Sequence, residues 1–414
     1  MIKILSNISQ MVTVDTYGKN FKRGKDLNEI GVLKNSSIVI ENEFIKDIIP
    51  SSSVINYEAD EDIDLTGKIV LPGFVECHTH TAFAGSRAEE FMRKLKGVSY
   101  EEIAATGGGI NKTVNAVRQA DIEELVDLIS PRINYFISQG ITTLEIKSGY
   151  GLDFENEVKL LKVISFLNQK YPIDIIPTFL GAHTFPPEYK HDPESYIKLL
   201  INDLLPYISE NNLANFCDGF CEPSAFSAGE IETIFTKAKE LGLNLRLHTD
   251  QFNSIGGVDT AIKLGALSVD HLEVIEDHDI DKLGKTDLVC VVLPGVSLFL
   301  NHKFAPARKL IDSNAIVALS TDYNPGSSNI CNINLIMSLA ALKMGMTIEE
   351  TISAVTINAA KALNMNNLIG SIEVGKKADF SVFNTEDYAD IVYNVGKNLN
   401  YMTIKNGEVI YIAD

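Results

Sequence analysis

Hydrophobic and polar positions alternate near the two ends of the chain in the manner of β-strands. The stretches NSSIVIENEFIKDII and YMTIKNGEVIYIA each hold two β-rich runs around a polar turn. In the second stretch the turn is Asn406-Gly407, and these residue types accept the positive φ values that a two-residue hairpin turn requires. Both ends of the chain are therefore predicted to form β-hairpins.

Between about residues 68 and 365, short apolar runs alternate with longer segments whose apolar positions recur with the helical period. One helix is predicted to start at Asp121, which forms a capping-box pattern with Glu124. The eight strand candidates are IVLPGFVECH, ITTLEIKS, DIIPTFLGAH, FCDGFCE, LNLRLHTD, ALSVDHLE, LVCVVLPG and IVALSTDYN. Eight strand-then-helix units predict an α/β protein with a TIM-like (β/α)8 barrel. A doubly wound sheet is the alternative, but it usually carries a glycine-rich phosphate turn after its first strand.

Composition and charge narrow the possible partners. The chain has 414 residues, of which 45% are apolar and 22% charged, enough for a large core and more than one domain. It has 55 acidic and 36 basic residues, and the net charge of -19 repels phosphate backbones and anionic membranes. We therefore expect neither nucleic acid nor membrane partners.

The N-terminal stretch MIKILSNISQMVTV lacks the pattern of a secretion signal, so a cytoplasmic location is expected. The cysteines number 5 and form no Cys-x-x-Cys pair, which indicates reduced thiols rather than a disulfide framework.

Histidines concentrate at the predicted strand ends. The chain has 8 histidines, and those at or just past a strand end are His78, His80, His183, His248 and His271. The carboxyl ends of barrel strands converge on one mouth, so these residues are expected to meet.

Taken singly, each of these histidines is more simply interpreted as a hydrogen-bonded structural residue. His78 and His80 differ, because a spacing of two on a strand puts both imidazoles on one face, where they could bind one ion. Asp322, after the eighth strand, adds a carboxylate beside the first strand. Together the strand-end residues suit a three-His, one-Asp site for zinc or iron(II).

A glycine run, Gly107 to Gly109, does not match a phosphate-binding P-loop, because Ile110 and Asn111 separate it from Lys112. A loop over the barrel mouth is expected there instead.

The motifs PGFVECHTH, RLHTD, SVDHLE and STDYNPG resemble those of the metal-dependent amidohydrolase superfamily. Within it the chain is most similar to the imidazolonepropionase family, over nearly its whole length. The segments that carry this resemblance are HTHTAFAGSRAEEF, GGGINKTV, EIKSGYG, FLGAHTFP, GGVDTAIKLGALSVDHLE and STDYNPGSS. The resemblance implies a barrel, residues 68–365, with a small β-sandwich domain formed by both termini, residues 1–67 and 366–414.

The resemblance also implies an activity and a metal. The enzyme would open the imidazolone ring of 4-imidazolone-5-propanoate to N-formimidoyl-L-glutamate, in histidine degradation, with a metal-activated water. One zinc or iron ion would be bound by His78, His80, His248 and Asp322. Many relatives bridge two metals with a carboxylated lysine on the fourth strand. That strand, FCDGFCEP, has no lysine here, so one ion per chain is expected. A homodimer is common in this superfamily and is expected.

The catalytic residues implied by the resemblance are Asp322, His271 and His183. Asp322 would accept the proton of the water, while the two histidines would polarise the carbonyl or shuttle a proton; orienting the metal ligands is their alternative role. Gln251 stands where some relatives carry a glutamate that is considered a general base. An amide cannot accept a proton, so Asp322 or His271 must be the base.

The substrate-binding residues implied by the resemblance are Arg87, Tyr150, His183, Gln251, Asn324, Gly326 and Ser327. The last three could equally form a plain turn in DYNPGSS. Arg87 could bind a carboxylate through two hydrogen bonds, or could be an exposed arginine paired with Glu89 or Glu90.

Two other functions compete with this one. A deaminase of guanine or cytosine would share the metal ligands, but Arg87 and Tyr150 suit a small-molecule substrate with a carboxylate better than a neutral base. A non-catalytic scaffold is disfavoured, because it has no need for metal-ligand residue types at several strand ends.

Overall fold

A computed structural model describes residues 1–98 and 108–413. The predicted loop at Gly107 lies partly outside these residues. The described strands form two eight-stranded sheets, one from the two ends of the chain and one from its middle. None of the described helices is long and apolar enough to cross a membrane.

The terminal sheet joins the two ends of the chain. Its strands are β1 Ile2–Val12, β2 Val32–Glu41, β3 Phe44–Pro50, β4 Glu61–Asp64, β5 Ile69–Pro72, β14 Phe380–Phe383, β15 Asn400–Lys405 and β16 Glu408–Ile412. They are ordered β16-β15-β14-β5-β1-β2-β3, and β4 pairs with β1 off this path, so all eight belong to one hydrogen-bonded sheet. Asn406 and Gly407 join β15 to β16 with φ of 52° and 76°, as the hairpin prediction required. The predicted β domain built from both termini is confirmed.

The second sheet is parallel throughout and follows chain order. Its strands are β6 Phe74–Glu76, β7 Ile141–Lys147, β8 Asp174–Ala182, β9 Phe216–Cys221, β10 Asn244–Thr249, β11 Ser268–His271, β12 Val289–Val292 and β13 Ile316–Leu319. Just beyond the strand ends, Thr79 and Tyr323 bridge the first strand to the last. There the His80 amide donates to the Tyr323 carbonyl at 3.0 Å, and the Asp322 amide to the His78 carbonyl at 3.1 Å. The predicted TIM-like barrel is confirmed.

Helices surround this barrel. Their bounds are α1 Ala88–Leu95, α2 Ile110–Gln119, α3 Ile122–Ile137, α4 Phe154–Lys170, α5 Pro193–Leu199, α6 Leu205–Glu210, α7 Ala228–Glu240, α8 Gly257–Leu264, α9 Asp277–Leu283, α10 Pro294–Leu300, α11 Ala307–Asp312, α12 Ile333–Met344, α13 Ile348–Ala354, α14 Ile357–Ala362 and α15 Asp390–Tyr393. As predicted, Asp121 caps α3: its carboxylate accepts from the Glu124 amide at 2.8 Å. Apolar residues such as Ile133 on α3 and Leu144 on β7 are fully buried in the main core.

The apolar run IVLPGFVECH is divided between the two sheets, so the prediction of a single barrel strand is wrong in its first half. Ile69–Pro72 pairs with β1 and β14 in the terminal sheet, and only Phe74–Glu76 belongs to the barrel. Gly73 makes the transition possible, since a Cβ there would lie 2.3 Å from Thr142 Oγ1. The domain bounds at residues 67 and 365 stay predictions.

Deletion of residues 375–414 is expected to make the protein aggregate. The deletion removes β14 to β16 and uncovers Val70 and Met11, which are packed with Phe380 and Val382 in one buried cluster. The five strands that remain, β1 to β5, are left with β5 as an open edge, and an exposed apolar edge strand promotes aggregation. Size-exclusion chromatography beside the full chain tests this, and a monodisperse truncated protein would contradict it.

Candidate metal and substrate site

Four side chains from three strand ends meet at the mouth of the barrel. His78 and His80 follow β6, His248 lies on β10 and Asp322 follows β13. Asp322 Oδ1 lies 3.4 Å from His78 Nε2 and 3.2 Å from His80 Nε2. The Nε2 atoms of His80 and His248 are 3.4 Å apart. All four side chains are buried.

These separations fit a metal ion. An ion with four tetrahedral bonds of about 2.0–2.1 Å holds its ligand atoms about 3.3–3.4 Å apart. Two of the atoms, His78 Nε2 and Asp322 Oδ1, are buried without a hydrogen-bond partner among the described residues, which an ion between them would explain. Imidazole nitrogens with one carboxylate are a donor set for divalent zinc or iron. The described residues therefore offer a divalent-metal site in two overlapping groups, His78 with His80 and Asp322, and His78 with His248 and His271.

Two further carboxylates orient the histidines from behind. Asp270 Oδ2 lies 2.6 Å from His78 Nδ1, and Asp218 Oδ1 lies 3.0 Å from His248 Nδ1. A carboxylate at Nδ1 accepts the ring proton and leaves Nε2 as the donor atom for the metal. Neither aspartate was predicted from the sequence. Their signal was an aspartate inside an apolar strand, FCDGFC and SVDH, because a buried carboxylate requires a partner.

His183 is held in the neutral form. Burial, followed by the charge of His80, lowers the pKa of its imidazole to about 3. Its Nδ1 lies 2.9 Å from the Gly149 carbonyl, which can only accept, so the proton is on Nδ1 and Nε2 is an acceptor. Its ring stacks on that of His80 with centroids 5.2 Å apart.

The pKa of His271 is shifted in the opposite direction from that of His183. Burial lowers the pKa of its imidazole, but the Glu273 carboxylate, 3.3 Å from Nδ1, and the charges of Asp322 and Asp270 together raise that pKa above its ordinary value. The backbone of His271 has a φ of 89° and that of Asp322 a φ of 49°. Left-handed backbone in residues other than glycine is uncommon and concentrates at functional sites.

One cavity of about 610 Å³ brings the predicted residues together. It is lined by the predicted residues His80, Arg87, Tyr150, His183, His248, Gln251, His271, Asp322, Asn324, Gly326 and Ser327. His78 lies fully buried against them. The sequence analysis did not predict Lys94, Phe252 or Leu300, which also line this cavity. The remaining histidines, His191, His278 and His302, are not among the lining residues.

Two interpretations were given for Arg87, a substrate-binding residue or an exposed arginine paired with a glutamate, and its contacts have features of both. Its Nε donates to Glu90 Oε2 at 2.8 Å, but its side chain is only 13% exposed. Its Nη1 packs against Gly326, where an added Cβ would lie 2.1 Å away. The guanidinium is therefore paired with Glu90 and also lies at the cavity wall.

Asn324 shapes the turn that carries Gly326 and Ser327. Its Oδ1 accepts from the Gly326 amide at 2.8 Å and from the Ser327 amide at 2.7 Å. Its Nδ2 donates to the Asp322 carbonyl at 2.7 Å. The turn is thereby tied to the residue that follows β13 into the metal site.

The chain is similar in sequence and in fold to proteins of known families. The chain matches the model of the amidohydrolase family over residues 69–410. It is 43% identical to a protein of Clostridium tetani (strain Massachusetts / E88) named imidazolonepropionase, over 99% of this chain and 98% of that protein. An adenosine deaminase from Xanthomonas campestris with bound zinc has a TM-score of 0.73 at 16% identity, covering 99% of this chain and 93% of that one. E. coli guanine deaminase has a TM-score of 0.75 at 15% identity, with 100% of both chains covered. At such identities these two structures are similar in fold alone.

Replacement of His78 by alanine is expected to lower the metal bound by the purified protein about tenfold or more, because one of four ligand atoms is lost. His191→Ala is the matched control, since His191 is exposed. Elemental analysis of both variants after dialysis measures the effect. Equal metal content in the two variants would contradict the assigned site.

Proposed function

The chain belongs to the amidohydrolase family, and from its site we propose that it hydrolyses 4-imidazolone-5-propanoate to N-formimidoyl-L-glutamate, a step of histidine degradation. It is a hydrolase that acts on a carbon–nitrogen bond of a cyclic amide. The observation that carries this assignment is the near full-length similarity to a relative named imidazolonepropionase, at 43% identity. The divalent-metal site and a half-buried arginine at the wall of the same cavity support it.

One zinc or iron ion per chain is proposed, bound by His78, His80, His248 and Asp322. The separations of 3.4 Å between Asp322 and His78, 3.2 Å between Asp322 and His80 and 3.4 Å between His80 and His248 support an ion held by these atoms. On β9, where a bridging lysine would be needed for a second ion, the polar residue is Asp218, and it is already engaged by His248. When bound, such an ion acts as a Lewis acid and lowers the pKa of water in contact with it.

Asp322 is the proposed acceptor of the proton that the attacking water loses. Burial raises the pKa of its carboxyl, but contacts with His78 and His80 outweigh burial and hold that pKa well below the usual range. The carboxylate is therefore ionised at neutral pH. Gln251 lies at the same cavity, but its amide cannot take a proton and is assigned to substrate binding.

His271 and His183 are proposed to act on the two sides of the reacting amide. The raised pKa of His271 suits a proton donor, either to the carbonyl oxygen or to the departing ring nitrogen. Neutral His183 offers Nε2 as an acceptor for a ring N–H. The opposite pKa shifts of the two imidazoles therefore support opposite roles.

The propionate tail is assigned to Arg87 and Tyr150. An anionic substrate approaching a chain of net charge -19 needs a local cation. The guanidinium of Arg87 supplies one at the cavity wall. Burial raises the pKa of the Tyr150 phenol, which therefore stays protonated and can donate a hydrogen bond. Asn324, Gly326 and Ser327 complete the wall beside Arg87.

We propose in addition a homodimer, a cytoplasmic location, no nucleic acid or membrane partner, and domain bounds of 1–67, 68–365 and 366–414. The composition of the two sheets supports the division into two domains, and the acidic charge supports the absence of nucleic acid and membrane partners.

Purified protein is expected to consume imidazolone propionate and to contain close to one equivalent of zinc or iron. Loss of the ring chromophore measures turnover, and guanine and cytosine serve as control substrates. Turnover of either nucleobase without turnover of imidazolone propionate would favour the deaminase alternative. Elemental analysis that finds two ions per chain would contradict the single-ion site.

Arg87→Met is expected to lower kcat/KM for imidazolone propionate by about 30-fold or more, because it leaves a desolvated carboxylate unpaired, at a cost of roughly 2–5 kcal/mol. Metal content should be unchanged. Arg87→Lys is the matched variant: it keeps the charge but not the two parallel hydrogen bonds, so it should recover only part of the activity. Near-normal turnover by Arg87→Met would exclude the role and reopen the choice of substrate.

A further inference from the structure

A buried lysine lies behind the metal ligands and takes no part in the mechanism described above. Lys147 ends β7, and its side chain is fully buried. Its Nζ donates to Glu145 Oε1 at 2.7 Å and forms an ion pair with Asp218 Oδ2 at 2.9 Å. One buried cation is therefore shared by two buried carboxylates.

The first of these carboxylates, that of Asp218, also contacts His248. Asp218 contacts Lys147 through Oδ2 and the His248 imidazole through Oδ1, at 3.0 Å from Nδ1. The orientation of this carboxylate therefore sets the direction of the His248 ring, and with it the position of Nε2.

The second carboxylate, that of Glu145, contacts the segment that carries His78 and His80. Thr79 lies between these two histidines, and its amide donates to Glu145 Oε2 at 2.9 Å. Its hydroxyl donates to the Glu145 carbonyl at 2.6 Å, and its own carbonyl accepts from the Lys147 amide at 3.0 Å. Thr79 is thereby held against β7 by three hydrogen bonds, so the two histidines beside it have a fixed backbone.

We propose that Lys147 is a positioning residue for the metal site, which holds the His248 ring through Asp218 and the His78-to-His80 segment through Glu145. This inference rests on the proposed function, since it requires that a metal is bound by these histidines. Lys147 touches neither the cavity nor a ligand atom. It fixes the carboxylates of Glu145 on β7 and Asp218 on β9, which hold the backbone at Thr79 and the ring of His248 in place.

The variant Lys147→Gln distinguishes two roles for Lys147: positioning the residues behind the metal ligands, or acting on the metal ion through its charge alone. If Lys147 acted only through its charge, its removal next to a divalent cation would strengthen metal binding, because the repulsion between like charges is lost. Positioning predicts the opposite: metal affinity should fall about 10- to 100-fold, as when other residues behind metal ligands are replaced. The dissociation constant for zinc, from competition with a chelator, distinguishes the two.

The chain offers a closely matched control. Lys405 is also buried and also shared by two carboxylates, Asp174 at 2.6 Å and Asp379 at 2.7 Å, but it lies in the terminal sheet. Lys405→Gln should lower the melting temperature as Lys147→Gln does, and leave zinc affinity unchanged. The absorption spectrum of cobalt-loaded protein should change for Lys147→Gln alone, since that spectrum reports ligand geometry.

If Lys147→Gln does not fold, Asp218→Asn provides the test. This replacement keeps the shape and an acceptor for His248 Nδ1 but removes the charge that Lys147 holds. It should also weaken zinc binding at least tenfold. Zinc affinity within twofold of the unmodified protein, or tighter, in a folded variant overturns the positioning role while leaving the proposed function intact. An unmodified protein that binds no metal overturns both.

Discussion

The site depends on the balance of buried charge at the mouth of the barrel. Among the described residues, the carboxylates of Glu145, Asp218, Asp270 and Asp322 are fully or almost fully buried there. The buried cations beside them are Lys147 and Arg246, whose Nη2 lies 2.8 Å from Asp270 Oδ2. An unpaired buried charge is costly, so each carboxylate needs a partner. These carboxylates outnumber the two cations, and Glu273 beside His271 adds another, so the mouth of the barrel favours a bound cation.

The segment that carries two of the proposed metal ligands also carries the arginine proposed to bind the substrate. His80 and Arg87 are seven residues apart, and the backbone between them is held from outside the barrel by Arg132 on α3. Arg132 Nη1 donates to the carbonyls of Thr81 at 2.8 Å and Phe83 at 2.7 Å, while its guanidinium lies 3.5 Å from the centre of the Phe83 ring. In the proposed function, one short stretch of chain therefore links metal binding to carboxylate recognition, and its fixed backbone keeps the distance between the two constant.

Fold and chemistry are separable here. A (β/α)8 barrel brings the carboxyl ends of its strands to one mouth whatever reaction it supports, and many activities use this architecture. In the proposed function, a cyclic amide with a carboxylate tail is selected by a few side chains that line the cavity: Arg87 at the wall, Tyr150 as a neutral donor, and the imidazoles of His183 and His271, whose pKa values are shifted in opposite directions. A site for a neutral base would have no use for a half-buried arginine at the wall of its cavity.

The sequence by itself determined the features that depend on local periodicity and turn chemistry. The eight barrel strands, the hairpin at Asn406-Gly407 and the gathering of five histidines at strand ends follow from patterns that a few neighbouring residues establish. Only the tertiary structure decided which side chains meet across the barrel: Asp218 with His248, Lys147 with both its carboxylates, and Arg87 with Glu90 and Gly326. It also decided that Ile69–Pro72 joins the terminal sheet. The physical reason is that periodicity tells which face of a strand is buried, whereas partners across a barrel depend on the register and closure of strands that are distant in the chain.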